Sequence, residues 1–440
     1  MNGVTRFPGG RRLGQNASFG VLVLANVLLM ASTSAPSPIY PLYLQRWGFS
    51  VTILTVVFAV YVVGLVGALL TVGSLSDHLG RRPVLVASLL VAAAATAIIW
   101  AAGGVLTLVL ARVVQGIATG MATGALAAGL VEFSPEGRAH MGPTMTAVGT
   151  SFGLAAGGGL AGLLVQVSPR PDAQIFPALT LAFAVLAVLM FAIPETAVRR
   201  NGALAALRTR IRVPRETRRA FFAALPAIVA GWSVTGLFLA LAPALVRDVL
   251  HVRFGAAGGL SITVLFIANT VGGLWAARRP ARGATLLGAV LLSLGAAGLA
   301  AALAVASPSV FIGASIVSGL GVGLTFNGTL RAISATTTAK SRSEVFSAVF
   351  VVSYAALGLP SLAAGLAAPS WGLQTTSYLY IALVGALSLT ATLFAGRHLA
   401  SRPARSQPNR PWSPPEATDR RNNQPPRPSA RTPLSVRQIA

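Results

Sequence analysis

The sequence predicts an all-α integral membrane protein, with twelve transmembrane helices in two pseudo-symmetric six-helix bundles. Three observations carry this prediction. Hydrophobic residues make up 54% of the 440-residue chain and charged residues 10%, against roughly 25% charge in an average soluble domain, and the mean hydropathy is +0.72. Twelve apolar runs are each about 20 residues long, enough to cross a roughly 30 Å hydrocarbon core as a helix. The basic residues fall in the connections between runs, on alternate sides, rather than along an amphipathic face.

The runs lie near 17–40, 50–74, 83–102, 105–131, 138–165, 174–194, 220–246, 257–277, 283–306, 309–332, 344–368 and 374–396; they are called spans 1 to 12 below. In lipid every backbone polar group needs a partner within its own segment or barrel, and runs this long and apolar fit helices. The first run follows Arg6, Arg11 and Arg12 as a signal peptide would, but it exceeds the roughly 7–15-residue core of one and reads as a retained span. With both termini cytoplasmic, only Arg46, Arg170, Arg247 and Arg253 face outward and Arg112 sits within a span, which leaves 29 of the 34 basic residues inside. That bias sets the orientation. The chain divides into an N-terminal segment (1–16), a first bundle (17–196), a basic central loop (197–219), a second bundle (220–397) and a Pro- and Arg-rich tail (398–440) whose composition cannot bury a core.

Composition also excludes functions. A net charge of +24 without stacking aromatics among the arginines argues against nucleic acid. No cysteine and four scattered histidines leave no metal-ligand spacing, and no phosphate-cradling G-x-x-x-x-G-K-[ST] loop is present, so neither a cofactor nor an enzymatic activity is expected. The Arg-rich loops and tail suit an anionic lipid leaflet, and a monomer is expected. Arg accounts for 33 of the 34 basic residues, which suggests a GC-rich bacterial genome and hence a bacterial inner membrane.

The halves carry faint repeats. Ala35-Pro36 recurs at Ala242-Pro243, Gly48 at Gly255 and Ser134 at Ser341, each 207 residues apart, while Arg81-Arg82-Pro83 recurs at Arg278-Arg279-Pro280, 197 apart. Duplicated bundles of this kind build alternating access around a midplane site.

Between spans 2 and 3 runs GSLSDHLGRRP, Gly73 to Pro83. Gly73 permits close backbone approach, Gly80 a positive φ and Pro83 a helix first turn. Gly73, Leu75, Asp77, Gly80, Arg81 and Arg82 match G-x-L-x-D-x-x-G-R-R/K, and here the chain resembles the Major Facilitator Superfamily. The resemblance implies its twelve-span fold, transport of a small molecule, and a latch in which Asp77 meets the start of span 11, where Ser341 and Glu344 have capping-box spacing. Glu132, at the end of span 4, is placed to meet Arg81 or Arg82.

Span 4 contributes RVVQG, which resembles the family's R-x-x-Q-G motif, in which the arginine is linked to proton coupling. Arg112, Gln115 and Thr119 share one helix face with Gly116 and Thr123 nearby, and that face is expected to line the pathway; snorkelling of Arg112 to the outer interface is the alternative. In span 5, Gly149, Gly153, Gly157 and Gly158 match the family's exporter signature G-x-x-x-G-P-x-x-G-G, with Leu154 at the proline position; glycines four apart equally suit helix packing. The ten Asp and Glu fall at span ends, in loops or in the tail. Asn26, Trp232, Ser233, Asn269, Asn327 and Tyr354 are candidate cavity groups, each equally accounted for by packing between helices. The resulting expectation is a proton-driven exporter of a moderately hydrophobic drug or metabolite; an importer or uniporter, and a non-transporting sensor or scaffold, are the alternatives.

Overall fold

The computed structural model describes residues 12–72, 76–138, 140–197, 213–337 and 342–400; the side chains of Asp77, Arg342, Ser343 and residues 396–400 fall outside that description, as do Gly73, Ser341, most of the central loop and the tail beyond 400. Among the described residues there are twelve helices of spanning length: Gln15–Trp47, Val51–Val72, Arg81–Trp100, Val105–Glu132, Met141–Val167, Asp172–Met190, Arg215–Ala240, Ala257–Ala277, Ala281–Ala304, Pro308–Ser334, Glu344–Trp371 and Leu373–Ala395. They are spans 1 to 12 in order. No strand occurs among these residues. Span 1 extends further than its hydropathy suggests, so Arg46 belongs to a helix end rather than a loop, and span 7 begins within the stretch read as central loop.

Spans 1 and 7 are both broken at the repeated Ala-Pro. Span 1 is helical over Gln15–Ser34 and again over Pro36–Trp47; span 7 is followed by a second helix, Ala242–Asp248. Proline supplies no N–H and pushes away the carbonyl four residues back, which explains a break at the same place in each half. The Gly48 and Gly255 match does not hold in the same way. Gly48 closes span 1 in the left-handed region at φ 66°, whereas in the second half the positive φ falls on His251 at 53°, and Gly255 instead donates its N–H to Gln166 Oε1 at 2.7 Å.

Glycine sets which helices approach closely. A Cβ on Gly116 of span 4 would lie 2.8 Å from the Leu65 nitrogen of span 2, and one on Gly64 would lie 2.6 Å from the Val113 carbonyl. The glycines of span 5 serve two faces. Gly149 and Gly153 abut Asn26, Val27 and Met30 of span 1, and Gly157 abuts Ala31; Gly158, Gly159 and Gly162 abut Ile262, Thr263 and Gly259 of span 8 in the other half.

The halves are clasped at the end away from the termini. Thr52 Oγ1 donates to the Gly365 carbonyl at 2.7 Å, joining spans 2 and 11, and Thr263 Oγ1 donates to the Ala155 carbonyl at 3.0 Å, joining spans 8 and 5. Arg247 reaches the Pro41 carbonyl at 3.5 Å. Between these segments lies a cleft of about 290 Å³ lined by Pro38, Pro41, Pro243, Arg247 and Gly255.

Gly116→Ala is expected to cost about 1–3 kcal/mol by overpacking, lowering the melting temperature of the purified protein, whereas Gly67→Ala, with no atom within 4 Å of its added Cβ, is expected to leave it unchanged or slightly raised. Equal melting temperatures for the two variants would contradict the close approach of spans 2 and 4.

Candidate functional site

Two groups of polar residues stand out against the apolar interior. The first is at the terminal face, where the Gly80 connection meets the end of span 6. Gly80 has φ 106°, a conformation that side-chain-bearing residues rarely adopt. A Cβ there would also stand 2.6 Å from Glu195 Oε2. Glu195 uses the space: its Oε1 accepts the Arg81 N–H at 2.8 Å and its Oε2 the Arg82 N–H at 3.0 Å. A carboxylate across the first free N–H groups of a helix satisfies orphan donors and opposes the positive end of the dipole.

Arg81 lies at the centre of this junction. Its Nη1 donates to Ser76 Oγ at 2.8 Å and its Nη2 meets Glu132 Oε1 at 3.3 Å, while Glu132 Oε2 accepts from the Thr196 hydroxyl. Spans 3, 4 and 6 of one half are thereby tied together. Arg82 adds a long contact to the Phe191 carbonyl at 3.4 Å. The expected meeting of Asp77 with the start of span 11 lies outside the described residues, with Gly73 and Ser341; Glu344, at that helix start, is half-buried.

The second group surrounds Arg112. Its side chain is fully buried, as are Gln115 and Thr119, so the face read as lining a pathway is sealed against spans 1 and 2 in this structure, and Arg112 does not snorkel. The seal follows from the break in span 1. Pro36 has no N–H for the Ser32 carbonyl four residues back, and Gln115 Nε2 takes that carbonyl at 2.8 Å. Gln115 Oε1 accepts from Arg112 Nη1, which also reaches the Thr33 carbonyl at 3.5 Å. The guanidinium carbon stands 4.3 Å from the centroid of the Tyr61 ring, and the Tyr61 hydroxyl meets Thr33 Oγ1 at 3.1 Å.

Magnitudes show why a charge can persist here. An arginine at mid-membrane costs about 2.5–3.5 kcal/mol on insertion scales. A desolvated cation–π contact contributes about 2 kcal/mol, and hydrogen bonds to a charged group about 1.5–3 kcal/mol each. These offset the penalty without a carboxylate, which suits a chain whose spans carry acids only at their ends.

The cavity candidates divide by partner. Asn26 Nδ2 donates to the Thr146 carbonyl at 3.1 Å and is a packing residue between spans 1 and 5; Asn327 turns back on its own helix at Gly323. Asn269 Nδ2 crosses between the halves to Ser151 Oγ at 3.3 Å, and Ser233 bonds the Ala356 carbonyl. Trp232 and Tyr354 are brought together, ring centroids 5.0 Å apart, with Phe326 at 5.5 Å from Trp232 and Phe350 beyond Tyr354. Sequence reasoning missed Glu195, Tyr40 and Tyr61. The available signals were an acid in an acid-poor chain directly after Pro194, and tyrosines inside spans of a protein with only six.

Two six-span bundles, each with its first helix broken at Ala-Pro, clasped at one end and enclosing a buried charge in one half, define the architecture of a secondary membrane transporter. The chain belongs to the Major Facilitator Superfamily, whose pattern it matches over residues 22–359. No curated protein matches it in sequence. Among solved structures it is similar to a bacterial homolog of the human lysosomal transporter Spinster, in an inward-facing and unoccupied conformation, with 13% identity, a TM-score of 0.72, and 89% of this chain and 99% of that one covered. It is also similar to a POT family transporter in complex with 5-aminolevulinic acid, with 12% identity, a TM-score of 0.69, and 87% and 96% covered. The similarity is one of fold.

Replacing Glu195 with Gln is expected to destabilise the protein by about 0.5–2 kcal/mol, the usual worth of a helix cap, read as a lowered melting temperature. Glu132→Gln, which loses a partly exposed ion pair, is expected to cost at most about 1 kcal/mol. The reverse order would remove Glu195 from the centre of the junction.

Proposed function

We propose that this transporter is a proton-coupled exporter of a small, moderately hydrophobic compound, acting by alternating access in a bacterial inner membrane with both termini in the cytoplasm. The observation that carries the reading is the Arg112 group: a buried cation held only by neutral partners, so that any charge arriving near it changes the balance between conformations. Asp77, in the loop that the Arg81 junction anchors, is the acid proposed to answer that field. Gly149, Gly153, Gly157 and Gly158 favour export, and the aromatic surface of Trp232, Phe326 and Tyr354 favours an apolar substrate. With the termini inside, the clasp lies on the outer side, which supports reading this as an inward-facing arrangement. The transporter is proposed to work as a monomer without cofactor, its basic loops resting on anionic lipid.

One observation favours a second reading. The described spans carry carboxylates only at their ends, Glu132, Asp172, Glu216 and Glu344, and a uniporter or importer needs no carboxylate at mid-depth to carry a proton.

Two measurements decide. Accumulation of a compound panel in cells with and without the protein, repeated with an uncoupler, is expected to show lower accumulation that the uncoupler restores; lower accumulation that survives the uncoupler supports the uncoupled reading, and higher accumulation supports import. For orientation, the chain has no cysteine, so single cysteines can be introduced directly. Arg253→Cys is expected to react with an impermeant maleimide in intact cells and Arg279→Cys only after permeabilisation.

A further inference from the structure

Arg112 Nε and the Tyr40 hydroxyl are both buried, and neither makes a hydrogen bond of good geometry to the protein's own described atoms. Tyr40 is 1% exposed and belongs to the outer segment of the broken span 1, and its oxygen faces the Arg112 guanidinium, which leaves the O–H itself without an acceptor. Buried donors left unsatisfied are costly. A single carboxylate would satisfy both, accepting from Nε and from the hydroxyl while neutralising the guanidinium.

The surroundings select for the same chemistry. Tyr61 covers the guanidinium, and its ring belongs to an apolar cluster continuous with the second half, against which Tyr354 and Trp232 pack. The charge is therefore one ring away from the interface where the halves part, opposite an aromatic surface. No carboxylate at mid-depth among the described residues could pair with an organic cation, and Arg112 repels one.

Resting on the reading of a small, moderately hydrophobic substrate, we propose that the substrate carries one acidic group: an aromatic organic monoanion, its carboxylate received by Arg112 and Tyr40 when Tyr61 moves aside and its ring packed on Trp232 and Tyr354. Multiply charged anions are disfavoured, since the site offers a single cation.

The test is equilibrium dialysis of the full-length protein in lipid nanodiscs at neutral pH, with 1-naphthoate, 1-naphthamide and 1-naphthylmethylammonium as matched probes. The carboxylate is expected to bind about tenfold or more tighter than the ammonium compound, the effect of one charge-assisted hydrogen bond. Arg112→Gln is expected to bring the carboxylate-to-amide ratio close to unity, Arg112→Lys to retain part of it, and Tyr40→Phe to reduce it several-fold. Melting temperatures identify variants that fail to fold, and the lysine and phenylalanine variants keep the test open if the glutamine variant is lost. Ammonium binding as tight as carboxylate binding, an unchanged ratio in Arg112→Gln and Tyr40→Phe, or no binding of the carboxylate would each overturn the proposal. A ratio measured at equilibrium contains neither transport direction nor energy source, so failure of the exporter reading leaves this result standing, and the converse holds.

Discussion

Much of the first half depends on one missing hydrogen. Pro36 cannot donate to the Ser32 carbonyl, so span 1 must end or find another donor; Gln115 Nε2 supplies it from span 4. Gln115 is then oriented with its oxygen toward Arg112, and Arg112 is drawn to the Thr33 carbonyl one residue on. A proline in one helix thus fixes an amide in a second, and the amide fixes a charge. The order matters, because a guanidinium alone would be expelled from this depth, whereas a carbonyl freed by a broken helix is an acceptor already in place.

This arrangement also needs span 2 to come close, since Tyr61 is the other main partner of the charge. Gly116 and Gly64 remove the side chains that would hold spans 2 and 4 apart, so the residue after Gln115 is as necessary as Gln115 itself. The second half repeats the packing without the chemistry. Gly319 and Gly323 of span 10 approach Leu265 and Asn269 of span 8 as Gly116 and Gly120 approach Tyr61 and Leu65, a spacing that puts Ser315 where Arg112 would be and Leu265 where Tyr61 would be. Ser315 is buried and bonds its own helix at Phe311. Duplication therefore preserved the glycines that set helix distance, while the charged site belongs to one half.

What was legible in the sequence follows this division. Span number, the recurrence of Ala-Pro in the two halves, and the shared face of Arg112, Gln115 and Thr119 are local properties, set by run length, by short repeats and by helical period; that the Ala-Pro breaks a helix in each half came from the structure. The Glu195 cap was not legible, because it joins residues 114 apart in the chain and depends on span 6 ending beside span 3. Tyr61 and Tyr40 escaped for the same reason. The span 5 glycines suited helix packing in the sequence, without a partner helix being assigned; neighbouring glycines 157 and 158 point about 100° apart on a helix, so the set touches span 1 on one side and span 8 on the other.

That split links the buried charge to the clasp between the halves. Ser34, two residues beyond the carbonyl that Gln115 holds, donates from its hydroxyl to the Leu154 carbonyl of span 5 at 2.8 Å. The next carbonyl along span 5, Ala155, accepts from Thr263 of span 8. Successive carbonyls of one helix thus serve the first half and the second. For spans 5 and 8 to part at this end, Thr263 must release Ala155, while Gly153 and Gly157 keep span 5 lodged against the unbroken part of span 1. Span 5 is thus bound to the part of span 1 before Pro36, and the segment beyond Pro36 is the one that carries Tyr40.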